Sequence, residues 1–161
     1  IIFHMTDLPY GRGGSPLQNL IINKKKSTFL TSLKCNDQID AGPIYLKSKL
    51  SLSGSAREIF KKVDQLIKLQ ITDIIHKEIV PKDQEGEPTF FKRRTPSESN
   101  LALCKSNNLE DWYDFIRMLD ADGYPNSYIE LNNMKILFHD AEILNKKILA
   151  KVEIVAKDQL K

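Results

Sequence analysis

The stretch FHMTDLPYGRGGSPLQNLI, residues 3–21, decides how the chain is read. Ile1-Ile2-Phe3 is an unbroken apolar triplet, the pattern of a strand covered on both faces in a parallel sheet. It runs straight into His4 and a Pro- and Gly-rich loop to Gly14. Ser15 as N-cap and Pro16 as first helical residue then predict a helix reaching about Asn23. Ligands of open α/β sheets bind where strands run into such loops, and glycines let backbone approach them closely. His4, an imidazole at a strand end, is a candidate acid or base, because its charge changes near neutral pH. Taken alone, such a histidine more often just hydrogen-bonds its own loop.

Two familiar readings of the loop fail. Gly11-Arg12-Gly13-Gly14 has Pro16 where a G-x-G-x-x-G fingerprint needs glycine, and no P-loop lysine follows. Gly14-Ser15-Pro16 lacks the G-x-S-x-G of a nucleophile elbow.

Working outward, strands are expected at Thr28–Lys34 and Pro43–Leu50, flanking the polar loop Cys35–Gly42. A long helix is expected from Ala56 to Ile79, its apolar stripe formed by Ile59, Val63, Leu66, Ile67, Ile71, Ile74 and Ile75. Pro81 ends it, and 82–88 reads as a polar connector before the segment FFKRRTP, residues 90–96. A shorter helix fits Leu109–Leu119, with Glu110 and Asp111 favouring its first turn. Ser127–Leu131 and Met134–Phe138 read as a hairpin, and the tail after Leu144 as a strand or a frayed helix. Cys35 and Cys104 are spaced for neither a metal site nor a redox motif, and read as plain buried residues. His76 reads as a rim residue, and His139 as a structural residue ending a strand.

The bulk numbers exclude more than they choose. Hydrophobic residues at 41% against charged residues at 28% describe a folded chain rather than a disordered one. No apolar run approaches bilayer length and no signal segment is visible, so the expectation is a cytoplasmic protein with no membrane partner. A net charge of +3 suits an anionic ligand without selecting one. Opening on an apolar triplet without Met leads to the expectation that sheet-forming sequence normally precedes Ile1. An apolar face left uncovered in that way predicts self-association into a homo-oligomer, or the need for a partner fragment.

In order along the chain, the motifs resemble the folate-dependent formyltransferases, the group of methionyl-tRNA and amino-sugar formyltransferases. That pattern is Asn-x-His, then Ser/Thr-x-Leu-Pro, then Tyr-x-Arg-Gly-x-x-Pro. His4, Thr6, Leu8, Pro9, Tyr10, Arg12, Gly13 and Pro16 stand in the corresponding places. Gln38-Ile39-Asp40-Ala41-Gly42-Pro43-Ile44 resembles the second signature, an Asp-x-Gly loop between strands. Arg93-Arg94-Thr95-Pro96-Ser97-Glu98-Ser99 is similar to a third, R-R-x-P-x-x-S, and residues 120–128 (DADGYPNSY) to a Pro-aromatic turn before a hairpin.

The resemblance implies an α/β fold. It comprises the second half of a formyltransferase-type, Rossmann-like parallel sheet, followed by a small α+β carboxy-terminal appendage. Residues 1–100 would be a partial catalytic domain and 101–161 a helix-plus-hairpin region. It implies transfer of a formyl group from 10-formyltetrahydrofolate to an amine, without metal. His4 would stabilise the oxyanion or relay a proton, and Asp40 would order the group that takes the amine's proton. Without the motif, Asp40 reads first as a turn residue before Gly42. Thr6, Tyr10, Arg12, Gly13 and Gly14 would serve the acceptor, and Asn36, Asp37, Gln38 and Ile39 the folate donor. The short stretch after Ala141 and the balanced charge point to a small-molecule acceptor, a nucleotide-linked amino sugar, ahead of tRNA. A methionyl-tRNA formyltransferase-like protein is the alternative, and a non-catalytic remnant of the family the third reading. One departure stands out: the family Asn is replaced by Ile2, and losing one oxyanion donor costs about two to three orders of magnitude in rate. Thr6 or a backbone N–H is the candidate substitute.

Overall fold

Seven residues of β3 (Ser27–Leu33) alternate Thr, Leu and Ser around Phe29, and all but its first and third residues are buried. That is the burial of a central strand, and it lies between β1 (Ile2–His4) and β4 (Ile44–Ser51). The computed structural model describes residues 1–157. Residues 158–161 of the expected carboxy-terminal region lie outside them. The described chain groups into two units, Ile1–Ser53 with Glu58–Arg93, and Gly54–Arg57 with the chain from Arg94 onward.

In the first unit the strands run antiparallel, Phe3 opposite Ser32 and Thr31 opposite Lys47. The α/β character matches the expectation, but the parallel direction does not. Helix α1 (Pro16–Ile22) lies in the connection from β1 to β3, which is longer than the dozen or so residues a parallel crossover needs, so connection length does not set the direction. Buried strands of either direction read alike in sequence. Among the described residues, parallel pairing of named strands is confined to β2 (Arg12–Gly13) with β5 (Phe90–Phe91).

Helix α1 begins with Pro16 at its first positions, but Ser15 sits in the left-handed region (φ 49°) and makes no side-chain cap. The Asn19 amide closes this turn instead, donating to the carbonyls of Gly14 and Ser15 at 3.0 Å. Helix α2 (Ala56–His76) buries Ala56, Ile59, Val63, Gln70 and Ile74, whereas Ile71 and Ile75 face solvent. The stripe is rotated because Gln70 points inward, its amide donating to the Leu30 carbonyl at 2.9 Å and to Ser48 Oγ at 2.8 Å. The helix stops before Ile79, where Glu78 turns left-handed (φ 48°) and the Ile79 N–H bonds back to the Ile74 carbonyl.

The second unit opens with a capping box, the Thr95 N–H donating to Glu98 Oε2 at 2.6 Å. Two 3-10 turns follow (Pro96–Ser99, Leu101–Leu103), then α3 (Leu109–Arg117), capped by Asn108. The sheet is a meander of β6 (Ser127–Leu131), β7 (Met134–Leu144) and β8 (Lys147–Ala156). The tail is thus a strand. Asn145 and Lys146 both have positive φ, the two-residue turn whose twist suits a hairpin. His139 falls inside β7 rather than at its end, with Asp140 and Glu153 each at 3.5 Å, and His76 is exposed. Cys35 is exposed and Cys104 half-buried. Both lie outside regular elements, so neither is the core residue expected. Among the described residues no helix is long and apolar enough to cross a membrane.

Two features carry stability tests. Arg117 is 6% exposed, donating to Asp114 Oδ1 at 2.7 Å and to the Gly54 carbonyl at 2.7 Å. Arg117→Met takes the cationic partner from a buried carboxylate and should destabilise the second unit by about 3–5 kcal/mol, measured by urea unfolding followed through Trp112 fluorescence. A Cβ on Gly42 would sit 1.7 Å from the Lys34 carbonyl oxygen, backbone that cannot step aside. Gly42→Ala should therefore destabilise by about 3 kcal/mol, with an unchanged far-UV circular dichroism spectrum at low denaturant.

Candidate functional site

His4 ends β1, where the pairing with Thr31 stops and the chain turns into the loop. Its Nε2 lies 2.8 Å from the Gly11 carbonyl oxygen. A carbonyl only accepts, so this nitrogen carries the proton. Nδ1 then faces Asp40 Oδ2 at 3.4 Å, in a pair whose side chains are 7% and 13% exposed. The same Oδ2 accepts the Gly13 N–H at 2.8 Å. The two catalytic candidates and the glycine loop therefore meet at one carboxylate oxygen, although Asp40 lies far along the sequence from both.

Asp40 reaches this position in the left-handed conformation, φ 51°, which costs an L-residue roughly 1–2 kcal/mol. Gly13 (φ +100°) leaves no room for a side chain, since a Cβ there would lie 2.6 Å from the Phe91 carbonyl oxygen. Glycine is what lets β2 lie against β5.

Of the acceptor-side candidates, Arg12, Gly13 and Gly14 run along the strap formed by residues 82–93. The N–H groups of Arg12 and Gly14 donate to the carbonyls of Thr89 and Phe91 at 2.9 and 3.1 Å. Thr6 is fully buried beside the loop; its carbonyl accepts from Thr31 Oγ1 at 2.6 Å, while its own hydroxyl has no partner among the described residues. Tyr10 stands apart from the His4–Asp40 pair. It packs edge-on against Phe91 and beneath Lys25 Nζ, and lines a concavity of about 260 Å³ with Asp7, Leu20 and Lys25. Asn36, Asp37, Gln38 and Ile39 form an exposed loop, in which Asn36 Oδ1 accepts the Gln38 N–H at 3.1 Å. Asp40 at its end is brought to the pair, and the other four are not.

The strap, whose residues 82–88 read in the sequence as a polar connector, supplies partners that the reading missed. Gln84 accepts from Arg12 Nε and Nη2 at 3.2 and 2.7 Å. Its amide nitrogen donates to the carbonyls of Asp40 and Gly42 at 2.8 and 2.9 Å. Thr89 Oγ1 accepts the Gly11 N–H at 2.8 Å. No periodicity marks either residue; the available signal was a short apolar run, Phe90-Phe91, too brief for a core strand. Arg94 is structural, donating to the Glu98 carbonyl and stacking over Phe115. Burial lowers its pKa, and Glu98 partly offsets this. Among the described residues no group of side chains is arranged to hold a metal ion.

Comparison with known proteins identifies the family. Residues 96–155 match the family described as methionyl-tRNA formyltransferase, C-terminal domain. The methionyl-tRNA formyltransferase of Mycoplasma capricolum subsp. capricolum is 32% identical over 152 residues, covering 90% of this chain and 47% of that protein. The chain thus spans about half the length of the curated relatives it matches. The solved methionyl-tRNA formyltransferase from Clostridium thermocellum superposes with a TM-score of 0.91 at 45% identity, over 96% of this chain and 67% of that one. A sugar N-formyltransferase from a Shewanella species, 24% identical, shares the fold with a TM-score of 0.63 over 89% of this chain and 61% of that one. With two thirds of a solved relative covered at that identity, the chain belongs to the folate-dependent formyltransferase family.

Proposed function

We propose that the full-length protein transfers a formyl group from 10-formyltetrahydrofolate to the amine of methionyl-tRNA, with His4 and Asp40 handling the proton. The observation that carries the chemistry is the single oxygen, Asp40 Oδ2, set between the Gly13 N–H and the imidazole of His4. The new bond joins the amine nitrogen to the formyl carbon, the bond from that carbon to the folate nitrogen breaks, and one proton passes from amine to leaving nitrogen. A carboxylate backing an imidazole orients the ring, which is what a proton relay needs. Ile2 offers no donor to the formyl oxygen as charge develops there. The Thr6 hydroxyl, buried and without a partner among the described residues, is the donor that the loop has to spare.

For the donor, the exposed loop 36–39 suits a flat heteroaromatic ring. Asn36, Asp37 and Gln38 offer polar groups to its edge, and Ile39, 71% exposed, offers an apolar contact to its face. When bound, 10-formyltetrahydrofolate supplies the activated formyl carbon.

The acceptor reading differs from the amino sugar favoured on sequence. That preference leaned on the short stretch after Ala141, and a chain spanning about half its relatives' length offers no such measure. Residues 96–155, which include most of that stretch, resemble the carboxy-terminal domain of methionyl-tRNA formyltransferases. This supports the tRNA branch.

The test is a formyl-transfer assay on the full-length protein, with methionyl-tRNA and nucleotide-linked amino sugars as competing acceptors. Formylated methionyl-tRNA is expected, with affinity falling steeply as salt rises; formylation of the sugar alone would return the acceptor to the first expectation. In the same assay His4→Ala and Asp40→Asn should each lower kcat by at least about two orders of magnitude. Asp40→Asn retains an oxygen for the Gly13 N–H, so its melting temperature should stay close to the parent's. Near-normal turnover in either variant would remove that residue from the mechanism.

A further inference from the structure

We propose that Gln84 is the positioning residue of this site, locking the Arg12 guanidinium and the Asp40 carboxylate into one rigid arrangement through a single carboxamide. Its consequence for rate rests on the formyl-transfer reading; its structural role does not.

The orientation of the amide is dictated by its neighbours. Arg12 can only donate, so the atom facing it at 2.7 and 3.2 Å must be the oxygen. The carbonyls of Asp40 and Gly42 can only accept, so the atom facing them at 2.8 and 2.9 Å must be the nitrogen. Both N–H groups are used and the oxygen takes two donors. A glutamate at this position would keep the Arg12 contacts and lose both donors. A lysine would do the reverse, and asparagine is a methylene too short.

The two carbonyls that Gln84 grips bracket Ala41. The peptide units held are therefore Asp40–Ala41 and Gly42–Pro43, one on each side of the Ala41-Gly42 pair, and with them the left-handed turn at Asp40. That turn aims the carboxylate at the Gly13 N–H and at His4. Gln84 is carried to its place by the bridge between Lys82 and Ile44, with N–H to carbonyl distances of 2.7 and 2.9 Å. Neither Arg12 nor the Asp40 loop can shift without breaking bonds at the same amide.

Two variants of the full-length protein separate positioning from folding. Gln84→Met removes every hydrogen bond at nearly constant volume. Gln84→Glu keeps an acceptor for Arg12 but sets a carboxylate oxygen against two carbonyls. With formyl donor saturating, Gln84→Met should lower kcat by about 30- to 100-fold, the cost of misplaced reacting groups, and raise the acceptor KM severalfold. Gln84→Glu should lose kcat similarly while leaving the acceptor KM within about twofold of the parent, a split that simple loss of fold does not produce. The second readout needs no turnover: amide hydrogen exchange by NMR. Gly13 should lose protection at least about tenfold in Gln84→Glu, while Gly11, bonded to Thr89, keeps its own. Unchanged Gly13 protection, or parental kcat in Gln84→Glu, would overturn the proposal. A parent protein inactive on every acceptor, with Gly13 protection still lost in Gln84→Glu, would sink the formyl-transfer reading and leave the positioning role standing.

Discussion

Much of the first unit depends on one carboxylate oxygen. Asp40 Oδ2 accepts the Gly13 N–H and faces His4 Nδ1, so it joins the glycine loop, the Asp-x-Gly loop and the end of β1 at a single atom. A polar contact of this kind is strong where water is scarce, and costly where a partner is missing. His4 contributes its other nitrogen to the Gly11 carbonyl. The Gly11 carbonyl thereby fixes the proton on Nε2, and with Asp40 beside Nδ1 the ring's position is set before any substrate arrives.

Around that atom the packing is built to tolerate strain. Asp40 occupies a conformation that side chains avoid, Gly42 admits no Cβ, and Gly13 lies against the Phe91 carbonyl. Strain of this sort persists only where the surroundings over-determine it. Here the surroundings are the strap of residues 82–93, which donates and accepts along the whole length of the glycine loop. Thr89, Phe91 and Gln84 each hold a different part of the site.

The second unit is organised by charge rather than by glycine. Arg117 and Asp114 form a buried pair one turn apart on α3, and Arg57 faces Asp120, Asp122 and Asp140 at 3.5 to 3.6 Å. Lys151 bonds to Asp140 and holds its carboxyl below the usual carboxylate range. The Asp120 carboxylate receives the Asp140 N–H at 2.8 Å, tying the Pro-aromatic turn to the bulge in β7. Nothing local in the sequence says which arginine these acids will meet.

From the sequence alone came the elements and the family. Apolar spacing placed α2 and α3 to within a turn of their ends, and residue types in order, from His4 through Asp40 to Arg93 and Pro125, carried the likeness to formyltransferases. Those signals are local, written in periodicity, turn residues and short motifs. Strand direction, the inward turn of Gln70 and the exposure of Cys35 were decided only by tertiary structure, because each depends on what lies across the sheet. The same holds for the strap. Gln84 has no neighbour in sequence that needs it; its four hydrogen bonds run to Arg12, Asp40 and Gly42, residues that folding alone brings within 3.2 Å.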